Sequence, residues 1–326
     1  MMPISRLIAT TAAAVVLMAL SGFAQRASAE TIIVGEIGAG STVQWPIDIG
    51  IEKALFKKRG IDLDVVTTPS NASLEQQLAA GSLNMGSSAG TTDPIRAVAK
   101  GAPLVILRID CQASPYALVS QANVASFKDL KGKIISLDSA KGITRAYFDR
   151  VATHFGLKHE DFDYVYQGAT PARFAAVKSG AAAAAMLTSP FNFFAEAQGM
   201  KSLVIVQDIV KDIPFTVHVA NKPWVQSHKE LVGKYLDAIN EATAWFFDKK
   251  NRAEAVQIML KHTRMKQPDV EKSYDFYHQI DIFNKTTSVS KKHLQNVMNV
   301  LVGFGDLDKA FPVENLVLPD ITKVMD

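Results

Sequence analysis

The sequence predicts an α/β protein of two lobes with mixed, largely parallel sheets joined by two crossover strands, and three observations carry that expectation. Short apolar runs alternate with amphipathic stretches almost from residue 30, as helices layered on sheet faces require. The rhythm restarts near residue 113, so one unit is built twice. Glycine closes one amphipathic stretch after another, at Gly60, Gly81, Gly101, Gly156 and Gly180, positions that suit the left-handed backbone at a helix end.

The first unit reads as a strand at 32–37, a Gly-rich loop, a helix at 47–58 and a strand at 61–67. A helix at 71–80, a short strand at 83–85, a helix at 94–100 and a strand at 104–109 complete it. The second unit opens with strands at 116–120 and 134–137 and a helix at 143–155, where Ile143, Tyr147, Val151 and Phe155 share one stripe at the spacing of a buried face. It continues as strand 164–167, helix 171–178, strand 183–187, helix 191–198 and strand 203–206, and closes near Asp212. A strand at 215–220 follows, and the rest is largely helical, with Leu231, Tyr235, Ile239, Ala242 and Phe246 on one core stripe. The strands near 104–111 and 215–220 are expected to cross between the lobes and leave a cleft. One lobe then comprises 30–112 with 214–326, and the other 113–213.

The amino terminus reads as a secretory leader. Arg6 precedes the apolar run 7–20, and Ala27-Ser28-Ala29 forms a small-x-small site, so cleavage is expected after Ala29. Thr10, Thr11 and Ser21 interrupt the run, which argues against a permanent anchor, and no later stretch is apolar and long enough for stable membrane insertion. Removing 1–29 takes away Arg6 and Arg26 and no acid, leaving a net charge of about +1 and no basic field for nucleic acid. The single cysteine, Cys111, cannot form an internal disulfide, so the exported fold must stand on its hydrophobic core, and a monomer is expected.

In an open α/β sheet, ligands sit beyond the carboxyl ends of strands, where helix N-termini present free N–H groups. Three segments have that form. The first, Gly86-Ser87-Ser88-Ala89-Gly90, offers Ser87 and Ser88; the second, at 138–142, leads through Ser139 and Gly142 to Ile143 and Arg145; the third carries Ser189. Together they suit a carboxylate, a sulfonate or a similar anion, although each hydroxyl also fits a simple helix cap. Gln44 and Trp45, at the end of the Gly-rich loop, and Phe191 and Phe215 are candidate walls, and any of these aromatic rings fits the core equally well. Asp110 and His218 fall on the expected crossovers, as ligand contacts or as hinge groups.

The same chain is similar to the solute-binding proteins of the sulfonate, nitrate and pyrimidine-precursor import family. The matching segments run in order: Trp45-Pro46, then 55–63 (LFKKRGIDL), 78–86 (LAAGSLNMG), 129–133 (DLKGK) and 173–180 (RFAAVKSG), leading to Ser189-Pro190. The alanine tract 181–185 departs from the family, many of whose members carry an acid there. The resemblance implies a type II periplasmic binding protein fold, a ligand in the interlobe cleft, periplasmic localisation, and an ABC permease with its ATPase subunits as partner. Arg173 matches a family landmark and is expected in a structural ion pair.

Two catalytic alternatives are weighed. The 86–90 segment fits G-x-S-x-G, the nucleophile elbow of serine hydrolases, yet no oxyanion segment of the HGGG type precedes it. Fungal pyrimidine synthases of similar fold use cysteine- and histidine-rich segments. Here the seven histidines show no metal-ligand spacing, and neither a metal nor a cofactor is expected.

Overall fold

The computed structural model describes residues 29–38 and 40–326, so the expected leader lies, apart from Ala29, outside the described residues. The chain opens with β1 (Glu30–Ile37), α1 (Trp45–Glu52), β2 (Ile61–Thr68), α2 (Asn71–Ala80), β3 (Met85–Gly90), α3 (Thr92–Ala99) and β4 (Leu104–Ile109). It crosses into β5 (Tyr116–Ser120), β6 (Ile134–Leu137), α4 (Ile143–His154), β7 (Asp163–Tyr166), α5 (Thr170–Ser179), β8 (Ala184–Thr188), α6 (Phe191–Glu196), β9 (Lys201–Ile205) and the short α7 (Val206–Ile209). It then returns as β10 (Thr216–Asn221), followed by α8 (Lys222–Ser227), α9 (Lys229–Phe247), α10 (Arg252–His262), α11 (Gln267–Gln279), β11 (Ser288–Ser290), α12 (Lys291–Gly303) and β12 (Lys323–Met325).

Two five-stranded sheets result, ordered β2-β1-β3-β10-β4 and β7-β6-β8-β5-β9. The orders are the same pattern twice. In each sheet the strand that enters from the other lobe, β10 or β5, inserts beside the last strand and runs antiparallel to both neighbours. The remaining pairs are parallel, so the sheets are mixed, with less parallel pairing than the alternating rhythm implies.

Between the sheets the two crossing segments run side by side. The Asp110 N–H donates to the Thr216 carbonyl, the Phe215 N–H donates to the Cys111 carbonyl, and Cys111 bridges Phe283 on the far side.

Two elements depart from the sequence reading for visible reasons. The helix expected at 47–58 starts earlier, at Trp45 with Pro46 in its first turn, and stops at Glu52. Ala54 takes a left-handed backbone with φ 55°, and the chain folds back so that the Phe56 ring lies on Gly50, where a Cβ would stand 2.3 Å from a ring carbon. The strand expected at 83–85 is Met85–Gly90, so the GSSAG segment lies inside a fully buried central strand rather than in a loop. Gly86 is small because Leu74 of α2 packs directly on it: a Cβ there would meet Leu74 at 2.9 Å, and one on Gly35 of β1 at 2.3 Å.

Candidate functional site

A cavity of about 670 Å³, counting space open to solvent, lies where the two sheets face each other. The first lobe lines it with Ile37 and Gly38 at the end of β1, Ser41 and Val43 beyond them, Asn71 at the start of α2, and Ser88 and Gly90 of β3. The second contributes Tyr116 of β5, Asp138 after β6, Ile143 at the start of α4, the turn 168–171 into α5 with Arg173, and Thr188, Ser189 and Phe191. Phe215 reaches in from the returning crossover.

The positions follow from local folding. Ser70 caps α2 by accepting the Ser73 N–H at 3.2 Å, which leaves Asn71 at the first turn, where its Oδ1 accepts the Gly90 N–H at 2.8 Å. Pro171 sits in the first turn of α5, whose opening N–H groups need no helical partner. One turn in, Arg173 folds back over the helix start. Its Nε donates to the Met186 carbonyl at 2.8 Å, Nη1 to the Gly168 carbonyl, and Nη2 to Thr170 Oγ1 at 2.8 Å and the Tyr116 hydroxyl at 3.4 Å.

Arg173 is 2% exposed, and among the described residues no carboxylate comes within ion-pairing distance of it, which corrects the expected structural ion pair. A guanidinium held only by neutral oxygens keeps its full charge to offer to the cavity. Burial pushes the Tyr116 phenol up to about 12 against the opposing pull of Arg173, so this ring faces the cavity as a neutral donor and acceptor.

Of the residues singled out from sequence, Ser88, Ile143, Ser189 and Phe215, with Phe191, line the cavity. Gln44 and Ser87 stand directly behind it. The Gln44 amide donates to Ser88 Oγ at 2.9 Å and accepts from Ser87 Oγ at 3.0 Å, orienting the hydroxyl at the wall. Gly142 is the N-cap of α4 and lies against the Asp138 carboxylate, where a Cβ would stand 2.4 Å from one oxygen.

The others are placed elsewhere. Trp45 is fully buried among Phe246, Tyr274 and Tyr277, with Nε1 donating to the Ala255 carbonyl at 2.9 Å, so it is core. Arg145 lies along the outer flank, bonded to Asp149 at 3.2 Å and to the Ala140 carbonyl at 2.7 Å, with its guanidinium over the Phe304 ring. Ser139 is exposed and does not line the cavity; its N–H donates to Asp138. Asp110 and His218 face each other at 3.3 Å at the crossing segments, both nearly fully buried, beside Cys111, whose thiol is pushed well up by burial and is therefore inert. Asn71, Asp138 and Thr170 were not among the candidates. Nothing local marks them, because each reaches the cavity through the way two lobes meet.

Ser88 lies within β3 and not on the strained strand-to-helix turn that a hydrolase nucleophile needs, and its hydroxyl is engaged by Gln44 rather than by a histidine. Among the described residues no group of three or more histidine, cysteine or carboxylate side chains is arranged to hold a metal ion. No described helix is long and apolar enough to cross a membrane.

Both flanks of the cavity are bridged between lobes. On one, Thr42 Oγ1 donates to the Ser189 carbonyl at 3.0 Å, and Ser189 Oγ bonds Ser273 Oγ at 2.5 Å. On the other, Lys141 Nζ meets Asp306 at 2.7 Å, while Arg96 bonds Asp306 at 2.8 Å and also the Lys141 carbonyl. Burial alone would raise the Asp306 carboxyl, but the hydrogen bonds from Lys141 and Arg96 outweigh it and hold the group below its ordinary value of 3.8. A depressed folded value means that this bridge is fully present above that ordinary value and is lost as pH falls below it. Lys141 is nearly half exposed, so the bridge is worth about 0.2–1 kcal/mol. Asp306→Asn is therefore expected to weaken ligand binding about 1.4- to fivefold by calorimetry at pH 7; unchanged affinity would show that the bridge does not favour the closed form.

A family model described as NMT1/THI5 like matches residues 42–253. Among curated proteins, the putative binding protein YtlA of Bacillus subtilis is 23% identical over 317 residues, covering 94% of this chain and 93% of that one. Among solved structures, the ligand-binding component of an ABC-type import system from Staphylococcus aureus, with zinc bound, superposes with a TM-score of 0.77 at 13% identity, over 90% of this chain and 97% of that one. The alkanesulfonate-binding protein SsuA of Xanthomonas axonopodis pv. citri, bound to MOPS, gives 0.73 at 18% identity, over 90% and 98%. The likeness extends over nearly the full length in each case, and the two-lobed architecture is the periplasmic binding protein fold.

Proposed function

Because the chain belongs to the NMT1/THI5-like family, we propose that it is the periplasmic substrate-binding component of an ABC importer, capturing a small organic anion between its lobes. One observation carries this reading: a buried guanidinium without a carboxylate partner, Arg173, faces a cavity walled by both lobes. Around it the hydroxyls of Ser41, Ser88 and Thr188 and the Asn71 amide supply further polar groups. Val43, Ile143, Phe191 and Phe215 suit an apolar body. A sulfonate or carboxylate head at Arg173 and a short organic tail among these side chains fit together. The binding component of an import system and the alkanesulfonate-binding protein among the structural neighbours support the same reading.

The lobes hinge at the paired crossing segments, and ligand contacts from both sides favour the closed form. A permease with its ATPase subunits recognises that form, and nothing is transformed. A leader cut after Ala29 delivers the chain to the periplasm as a monomer. The test is a thermal-shift screen of alkanesulfonates, carboxylates and neutral pyrimidines on the purified protein. At a hundredfold excess over the dissociation constant a ligand adds about 2.7 kcal/mol to stability, which moves the melting point measurably. Stabilisation by sulfonates or carboxylates is expected. Stabilisation by the pyrimidines alone would replace the anion with a neutral ligand.

A further inference from the structure

The cavity wall carries two charges of opposite sign, Arg173 and Asp138. Asp138 is tied to its own loop through one oxygen only: Oδ1 accepts the Ser139 N–H at 2.6 Å and the Thr144 hydroxyl at 2.6 Å. Oδ2 accepts no hydrogen bond from the protein, and no lysine or arginine pairs with this carboxylate among the described residues. The two charged residues are neighbours through one peptide, since the Gly168 N–H donates to the Asp138 carbonyl at 3.0 Å and the Gly168 carbonyl accepts from Arg173.

A simple anion in this cavity would displace water from beside the Asp138 carboxylate with no donor to replace it, and would share the cavity with a like charge. Burying a carboxylate without a donor is costly, whereas a ligand that brings its own donor satisfies the group and adds a charge-assisted bond. We propose that the ligand is a zwitterion: an amino sulfonate or amino carboxylate whose anionic end meets Arg173 and whose ammonium group meets Asp138 Oδ2. The inference rests on the anion-capture reading and narrows it. Asp138 thereby sets specificity, accepting amino-bearing anions and rejecting plain ones by leaving its own oxygen unpaired.

The test is calorimetry of wild type and Asp138→Asn with three probe series, each spanning two to six carbons: aminoalkanesulfonates, their N-acetyl derivatives, and unsubstituted alkanesulfonates, with the matching carboxylates in parallel. Asparagine keeps Oδ1 for Ser139 and Thr144 and replaces the free oxygen by an amide, so the loop is expected to hold, and melting of the unliganded variant checks that. Wild type is expected to favour an amino compound over the plain and acetylated anions of equal length by about tenfold or more, the worth of one hydrogen bond to a charged group. Asp138→Asn is expected to erase that preference while binding the plain anion at least as well. In wild type the preference should also fade as pH rises through the amine's own titration. Equal binding of plain and amino anions by wild type, or a preference that survives in Asp138→Asn, overturns the zwitterion and leaves anion capture standing. Binding of none of the anions overturns both.

Discussion

Arg173→Ala is expected to abolish ligand binding, by more than about a hundredfold, and to cost the unliganded protein about 3 kcal/mol of stability. Both effects come from the same side chain. The guanidinium, 2% exposed, donates to the Met186 and Gly168 carbonyls and the Thr170 hydroxyl, and alanine removes all of these charge-assisted bonds at once. It also removes the only cation on the cavity wall among the described residues. Arg173→Lys separates the two roles. Lysine retains the charge but cannot present the planar fork, so the melting point should fall while a weakened affinity for the anion persists. Urea unfolding and calorimetry on the two variants check the pair of expectations. An alanine variant that binds ligand normally would remove Arg173 from the site, whatever its stability.

Trp45→Ala is expected to destabilise the protein by about 3–5 kcal/mol and to leave the ligand affinity of the folded fraction within about threefold of wild type. The ring fills the centre of an aromatic cluster, with centroids of Phe246, Tyr274 and Tyr277 at 5.3, 5.9 and 6.0 Å, and its indole N–H is spent on the Ala255 carbonyl. Truncation would leave a void the size of the indole, and the surrounding helices α9, α10 and α11 could close on it only partly. Denaturant titration reads the first effect and calorimetry the second. Loss of binding with little loss of stability would place this residue in the cavity after all.

These two residues also show where the sequence was legible. The helices at 71–80 and 143–154 could be bounded to within a residue because periodic apolar positions end on Gly81 or just short of Gly156, and the physics involved is local. The strand Met85–Gly90 could not. Its small residues carry no apolar signature, and the close approaches to its glycines, of Leu74 to Gly86 and of Ile143 and Asn71 to Gly90, are visible only in three dimensions. Trp45 looked equally like a wall or core, and the elements that enclose it, α9 to α11, come about two hundred residues later in the chain.

The site divides along the same line. Ser189 and Phe215 were recognisable because they stand at element junctions, where ligands of open sheets gather, whereas Ser88 reaches the cavity from inside β3. Arg145 drew the eye in the segment 138–145 as a possible clamp for an anion, yet its helix turns it outward onto Phe304, and the residues that line the cavity from this segment are Asp138 and Ile143. Arg173 was visible as a motif residue. That it lacks a carboxylate partner is a statement about every side chain around it and has no signature in sequence.

The account turns on a solute held between lobes that close over it, and small-angle X-ray scattering of the purified protein tests this most directly. With a stabilising compound from the thermal screen at saturation, the radius of gyration should fall and the profile should match the structure with both flanks bridged, as Lys141 to Asp306 and Ser189 to Ser273 require. Without it, a broader, more extended average is expected. Superposable profiles with and without a ligand that calorimetry shows to be bound would contradict capture by closure.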